Sequence, residues 1–170
     1  MKIIRKLLAA AASAAMAAAA FAFPASAASS AKDIVSDMGL GWNLGNTLDC
    51  QNCSWITNEL DYETGWGNPK VTKALIDKVS DLGFSSIRIP VSWHDHVDAN
   101  NNISSVWMNR VKQIVDYAID DGLYVIVNIH HDNAIQYNGK NFFYPSSTYL
   151  TTSKNYVTKI WTQISGTFKD

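Results

Sequence analysis

The feature that most constrains the fold is a nearly continuous apolar stretch that runs from Tyr124 to Ile129. Such a run of valine and isoleucine is typical of a strand buried on both faces, as in parallel sheets that are covered by helices. The stretch ends abruptly at His130, His131 and Asp132. Polar residues at this point indicate a functional site, because ligands of α/β proteins bind at the carboxyl ends of parallel strands.

Two earlier segments have the same organisation. A strand predicted at 86–91 leads into a loop that contains His94 and His96, and a strand predicted at 38–44 leads into a loop that contains Asn46 and Asp49. Helical patterns separate and follow the strands, and they extend over 68–83, 107–118 and 153–168. This alternation predicts a parallel sheet joined by right-handed crossovers, with three strand ends at one edge.

The length of each strand-helix unit points to a particular architecture. Gly83 and Gly122, which end the first two predicted helices, are about 40 residues apart, and eight such units fit the usual size of a (β/α)8 barrel. We therefore predict an α/β fold, namely the N-terminal three βα units of a (β/α)8 TIM barrel that is incomplete in this chain. A doubly wound sheet is the alternative. Because no Gly-x-Gly-x-x-Gly follows any predicted strand, dinucleotide binding has weak support.

The N-terminal segment resembles an export signal. Lys2, Arg5 and Lys6 precede an uncharged, alanine-rich stretch at 7–23, which is followed by small residues up to Ala27. This order is the signature of a secretory signal peptide, so we expect residues 1–27 to be removed and the mature protein to be secreted. A membrane anchor is disfavoured, because the stretch is short and weakly apolar for a span of about 20 residues.

Composition limits the classes of partner. The formal net charge is −1 and no basic tract follows the leader, so nothing favours nucleic acid or, after signal cleavage, a membrane as partner. The chain contains six tryptophans, and we expect Trp107 and Trp161 to lie in the core because they fall in helical stripes. Trp55 and Trp66 lie in a loop and are candidates for an exposed stacking surface.

Cys50 and Cys53 form a Cys-x-x-Cys motif in the first loop. Structural zinc would need further ligands, and a thioredoxin-like site would place the motif at the start of a helix. In an exported protein a local disulfide is the favoured interpretation, although either cysteine could pair with one beyond the end of this chain.

Four sequence blocks together resemble a known family. The blocks at 41–49, 63–69, 87–93 and 127–132 are similar to the opening motifs of glycoside hydrolase family 5, in particular its secreted bacterial endoglucanase branch. This resemblance implies a (β/α)8 barrel and a retaining endo-β-1,4-glucanase that hydrolyses β-glucan polysaccharides. It also implies that residues 28–170 are the N-terminal part of the catalytic domain, truncated before strand four. We expect a monomer that needs no cofactor.

The resemblance also assigns roles to single residues. It implies active-site support for Arg88, which would hold the nucleophilic carboxylate ionised, and for His130. It implies contact with the sugar for a second set, namely Asn46, Asp49, His131 and His96. Trp66 is a candidate stacking platform for the sugar, and a packed anchor of its loop is the alternative. The chain contains only two glutamates, Glu59 and Glu63, and neither lies in the family's catalytic motif. Both catalytic glutamates are therefore expected beyond Asp170, and the chain alone is expected to be inactive.

Two other classes of function stay open. In a metal-dependent hydrolase on a TIM barrel the histidine cluster would supply ligands, and the candidate set is His94, His96, His130, His131 and Asp132. The placement of Pro90 and Trp93 disfavours this class, because metal-binding His-x-His pairs usually lie within a strand. A noncatalytic carbohydrate-binding protein is the other possibility, but such modules are mostly β-sandwiches and the alternating helices argue against one.

Overall fold

A computed structural model describes residues 30–133 and 143–169 of the chain. The signal peptide predicted at 1–27 lies outside the described residues. Within them, no helix combines the length and the apolar character that a membrane crossing requires.

The centre of the structure is a parallel sheet with the strand order β1-β2-β3. Its strands are β1 (Gly41–Asn43), β2 (Ser86–Val91) and β3 (Tyr124–Ile129). The register pairs Asn43 with Arg88 and Arg88 with Ile126. Because paired residues in a parallel sheet project from the same face, these three side chains share one side of the sheet.

Helices connect and follow the strands. They are α1 (Ala31–Asp37), α2 (Lys73–Asp81), α3 (Ser105–Asp120) and α4 (Leu150–Phe168), and two 3₁₀ helices span Glu59–Thr64 and His94–His96. The predicted start of the second of these α-helices at Asn68 was wrong. Thr72 is its N-cap and accepts a hydrogen bond from the Leu75 amide, whereas the Asn68 side chain donates to the Gly45 carbonyl and to Thr47.

The hydrophobic core joins one face of the sheet to the helices. Ile87 and Ile89 of β2 are fully buried in the same cluster as Ile76 of α2 and Ile114 of α3. Trp107 of α3 is also fully buried, which confirms its predicted position. The same prediction for Trp161 was wrong, because this side chain of α4 is 40% exposed. Trp161 lines an open, mostly apolar cavity together with Val125 and Val127 of β3. None of the described helices packs over the exposed part of the Trp161 ring.

The other face of the sheet is uncovered within the described residues. Tyr124 and Ile126 are 39% and 42% exposed, so the expectation that this strand is buried on both faces is not met here. Helices on one face and an uncovered face opposite are the arrangement that three neighbouring units of a (β/α)8 barrel would have. The parallel, sequential order of the strands agrees with the predicted fold.

Candidate active site

Arg88, in the middle of β2, and His130, directly after β3, come together on one side of the sheet. Arg88 Nη2 lies 3.2 Å from His130 Nδ1, and Arg88 Nη1 donates to Asn43 Oδ1 at 3.3 Å. A guanidinium has no acceptor atom, so His130 Nδ1 must accept this hydrogen bond. In the neutral imidazole the proton is therefore on Nε2, which leaves an N–H available to a ligand.

Asp49 brings the first loop to the same place. Its Oδ2 lies 3.7 Å from His130 Nε2 and 3.8 Å from His131 Nε2. The carboxylate is held by its own loop, since Oδ1 accepts the Thr47 amide at 2.8 Å and the residue is only 2% exposed. The arrangement leaves the second carboxylate oxygen facing two imidazoles.

Electrostatics favour a neutral His130. Partial burial lowers the pKa of His130 from its usual value, the neighbouring His131 lowers it further, and the positive charge of Arg88 acts in the same direction. Asp49 opposes this shift but does not cancel it. The neutral form keeps Nδ1 available as the acceptor for Arg88.

Trp66 lies at the edge of this cluster. Its indole ring contacts the ring of His131 edge-on, at a centroid distance of 5.7 Å, while 39% of the residue stays exposed. Asn46 is exposed and lies on the same loop as Asp49, with a φ of 57° that asparagine tolerates better than most residues. The structure thus brings together Arg88, His130, His131, Asp49 and Trp66, and it places Asn46 nearby on the loop of Asp49.

His96 is not part of the cluster. The 3₁₀ helix His94–His96 turns its side chain inward, where the ring stacks on Trp107 at 3.7 Å and Nδ1 pairs with Glu59 at 3.0 Å. The residue is 2% exposed, and this burial lowers the pKa of His96. The predicted contact between His96 and a sugar therefore disagrees with its position, which is that of a packed interior histidine.

Asp132 holds the two strand ends together. It is fully buried and accepts the backbone amides of Trp93 and His94, as well as a hydrogen bond from the His94 ring. This aspartate fixes the residues after β2 relative to the residues after β3. The sequence predicted Asp132 as a polar residue at a functional strand end and as a candidate metal ligand, but the pattern contains no signal for its contact with amides so distant in sequence.

Asn43 is a second residue that sequence reasoning missed. Its side chain accepts from Arg88, and the two residues are register partners in neighbouring strands. Alignment of the predicted strands in parallel could have found this pair, because register partners project to the same side.

The metal-site hypothesis does not fit the geometry. His94 is bound by Asp132 and His96 pairs with Glu59, so the five candidate ligands do not assemble. In the part of the chain that the structure describes, the group able to surround an ion is Asp49, His130 and His131, with ligand atoms within 4.8 Å of one another. The hydrogen bond from Arg88 keeps a proton on His130 Nε2, and a metal would have to displace it.

Both glutamates of the chain have structural partners. Glu59 pairs with His96 and accepts from the Ser104 hydroxyl at 2.7 Å. Glu63 is buried, and both of its carboxylate oxygens accept from Arg110, at 2.6 and 2.8 Å.

Comparison with known proteins identifies relatives over most of the chain. The model of the family described as cellulase (glycosyl hydrolase family 5) matches residues 48–170. Endoglucanase A of Clostridium longisporum is 47% identical over 148 residues, which are 86% of this chain and 27% of the relative. The chain thus spans about a quarter of the length of that protein.

Solved structures agree in fold. The complex of a glycoside hydrolase 5 lichenase from Caldicellulosiruptor sp. F32, an E188Q mutant, with cellotetraose superposes with a TM-score of 0.77 at 49% identity, over 83% of this chain and 37% of that one. A family 5 enzyme from Prevotella bryantii B14, an E280A mutant in complex with a xyloglucan tetradecasaccharide, gives 0.74 at 42% identity, over 84% and 40% of the two chains. These matches identify the three βα units as part of a (β/α)8 barrel.

Proposed function

The chain belongs to glycosyl hydrolase family 5, and on this premise we propose that the whole protein is a secreted, retaining endo-β-1,4-glucanase that hydrolyses β-glucan polysaccharides. The main support for the proposal is that Arg88 of β2 shares a hydrogen bond with His130, which follows β3, beside Asp49 and His131. Relatives named as endoglucanase and lichenase support the type of reaction. The N-terminal signature supports secretion, and we propose that the protein acts as a monomer.

Arg88 would act on the nucleophile. Retaining hydrolysis needs an acid/base and a nucleophilic carboxyl group that are about 5–5.5 Å apart. Glu59 and Glu63 have structural partners, so we propose that both catalytic glutamates belong to the part of the protein beyond Asp170. A guanidinium carries five N–H donors, and those not used on Asn43 and His130 are free to bind a carboxylate, which would keep it ionised.

The remaining cluster would bind the sugar. The Nε2–H of His130 would donate to a hydroxyl or ring oxygen, and Asp49 Oδ2 would accept from a hydroxyl group. His131 and Asn46 offer further polar contacts, and the exposed area of Trp66 suits the apolar face of a pyranose ring. Because His96 is buried against Trp107, it has no part in this proposal.

The test is a comparison of Arg88→Ala and Arg88→Lys in the full-length protein, with Lys32→Ala as a surface control. We expect Arg88→Ala to lower kcat on soluble mixed-linkage β-glucan by about 100-fold or more, because the preorganised charge is lost. Arg88→Lys keeps the positive charge but lacks the planar, bidentate guanidinium group. Its kcat should therefore lie between those of Arg88→Ala and the wild-type protein. Unchanged kcat in Arg88→Ala would refute the role of Arg88, and products with inverted anomeric configuration by proton NMR would refute a retaining enzyme.

A further inference from the structure

We propose that Cys50 and Cys53 form a disulfide, and that this bond fixes the loop segments that present Asp49 and Trp66. The disulfide itself follows from the packing described below, whereas its effect on the sugar site rests on the proposed function. The site described above does not use either cysteine.

The two sulfur atoms already face each other. Cys50 Sγ and Cys53 Sγ are 2.8 Å apart, and both residues are completely buried. A disulfide bond is about 2.05 Å long, so the sulfurs need to approach by only about 0.8 Å. A bond to any other cysteine would require one of them to leave its buried position, so the geometry favours the local pair.

The backbone at Gly65 packs closely against the two cysteine sulfur atoms. A Cβ added to Gly65 would lie 2.6 Å from Cys50 Sγ and 3.1 Å from Cys53 Sγ. The glycine therefore lets the segment after the first 3₁₀ helix pack directly on both sulfurs. Gly65 precedes Trp66, and Cys50 follows Asp49, so the pair lies behind two residues of the candidate site.

The same loop also contacts the loop after β2. The Asn52 amide, between the two cysteines, donates to Asp95 Oδ2 at 3.1 Å. A covalent link from Cys50 to Cys53 would hold this amide in a closed four-residue ring. The link would therefore restrict the conformations of this turn and favour the one in which the Asn52 amide reaches Asp95.

Other roles of a Cys-x-x-Cys motif fit less well. Within the described residues, the one group of potential metal ligands close enough to hold an ion is Asp49, His130 and His131, and it includes neither cysteine. A dithiol oxidoreductase needs an accessible cysteine with a depressed pKa, whereas burial raises the pKa of the Cys50 thiol well above its usual value. A structural disulfide remains the role that suits two buried, adjacent sulfurs.

The chemistry requires a disulfide oxidant such as oxidised glutathione. The thiolate of one cysteine attacks a glutathione sulfur, the glutathione S–S bond breaks, and one reduced glutathione leaves. The thiolate of the second cysteine then attacks the protein sulfur of the mixed disulfide and releases the second reduced glutathione. Two protein thiols are oxidised and one glutathione disulfide is reduced. Because both sulfurs are buried in the folded chain, we expect the bond to form during folding, before the loop closes.

The first experiment detects the bond directly. Full-length protein, refolded with oxidised and reduced glutathione, is unfolded in guanidinium with iodoacetamide and analysed by peptide mass spectrometry. We expect the peptide that contains both cysteines to be unalkylated and lighter by two hydrogens than the reduced peptide, and to accept two alkyl groups only after reduction. Alkylation of both cysteines without prior reduction would overturn the proposal, whatever the activity of the protein.

The second experiment tests the effect on the loop, with Cys50→Ala/Cys53→Ala as the matched control. Reduction should lower the Tm of the wild-type protein by roughly 2–8 °C and raise KM for β-glucan about threefold or more, with a smaller change in kcat. The double variant should resemble the reduced protein and should not respond to reductant. An intact bond whose reduction changes neither Tm nor KM would refute the role in holding the loop.

Discussion

At the scale of single residues, the contact between Arg88 and His130 decides which protons the site can offer. The guanidinium only donates, so it places the proton of the neutral histidine on Nε2, beside Asp49. Protonation would put an N–H on Nδ1 as well, opposite the N–H of Arg88. Loss of this hydrogen bond on protonation adds a local reason for the histidine to stay neutral.

Substitution of His131 should therefore change the titration of its neighbour. The two rings are 4.2 Å apart, and both burial and the charge of His131 lower the pKa of His130. His131→Gln removes this charge, so we expect the pKa of His130 to rise toward its ordinary value of about 6.5. NMR titration of the imidazole C–H signals in the full-length protein measures this value.

The matched control is His96→Gln, which changes a histidine buried in a different part of the molecule. This control variant should leave the pKa of His130 unchanged. A His130 pKa that stays constant or falls in His131→Gln would contradict the electrostatic account.

At the scale of elements, an ion pair between the buried Glu63 and the partly buried Arg110 attaches the 3₁₀ helix Glu59–Thr64 to α3. Glu63 accepts twice from Arg110 of α3 and also accepts the Val71 amide at 2.6 Å. These contacts attach the loop that ends in Trp66 to the helical layer. A buried charge that loses its partner is expensive, since its desolvation is no longer compensated.

Replacement of Glu63 by Ala should therefore destabilise the fold strongly. We expect a loss of about 3–5 kcal/mol in the free energy of unfolding, because Arg110 and the Val71 amide lose their acceptor. Asp61→Asn is the control in the same 3₁₀ helix: Asp61 pairs with Lys70 at 3.5 Å with both side chains about half exposed, and such pairs contribute at most about 1 kcal/mol. Denaturant unfolding of the full-length variants compares the two, and equal losses would refute the structural role of Glu63.

Elements also show where sequence patterns succeed. The periodicity of the apolar residues predicted all three strands and the helices between them, and β2 and β3 have the predicted bounds. The start of α2 was missed because Asn68 and Thr72 are both good capping residues. In the folded chain the Asn68 side chain donates to Gly45 and Thr47 of the first loop and therefore does not cap the helix. This contact depends on loop packing, which the local sequence does not encode.

At the scale of the whole molecule, buried ionisable groups make stability depend on pH. Burial lowers the pKa of His96, and its hydrogen bond to Glu59 lowers the pKa of that carboxyl group. In both cases the unfolded chain binds protons at a higher pH than the folded chain does. Stability should therefore fall as the pH drops, first below the ordinary histidine value of about 6.5 and then below that of glutamate, near 4.3.

His96→Gln isolates the contribution of the histidine. Glutamine can still donate to Glu59 but does not titrate. We expect the wild-type protein to lose more Tm between pH 7 and pH 5 than the variant does, as measured by thermal unfolding of the full-length protein. A decrease of the same size in both proteins would show that His96 does not titrate as its burial implies.

The order of strands and helices, the parallel sheet and the family were all predictable from the amino-acid sequence, because they depend on local periodicity and on contiguous motifs. The sequence also placed His130, His131 and Asp49 after predicted strands, whose ends lie at one edge of a parallel sheet, and Arg88 within the second strand. Three features emerged only from the packing of the folded chain: His94 and His96 turn inward, Asp132 holds two strand ends together, and Trp161 stays exposed. The direction of a loop side chain is set by partners that are distant in sequence, such as Trp107 and Glu59 for His96, and no local pattern encodes these partners.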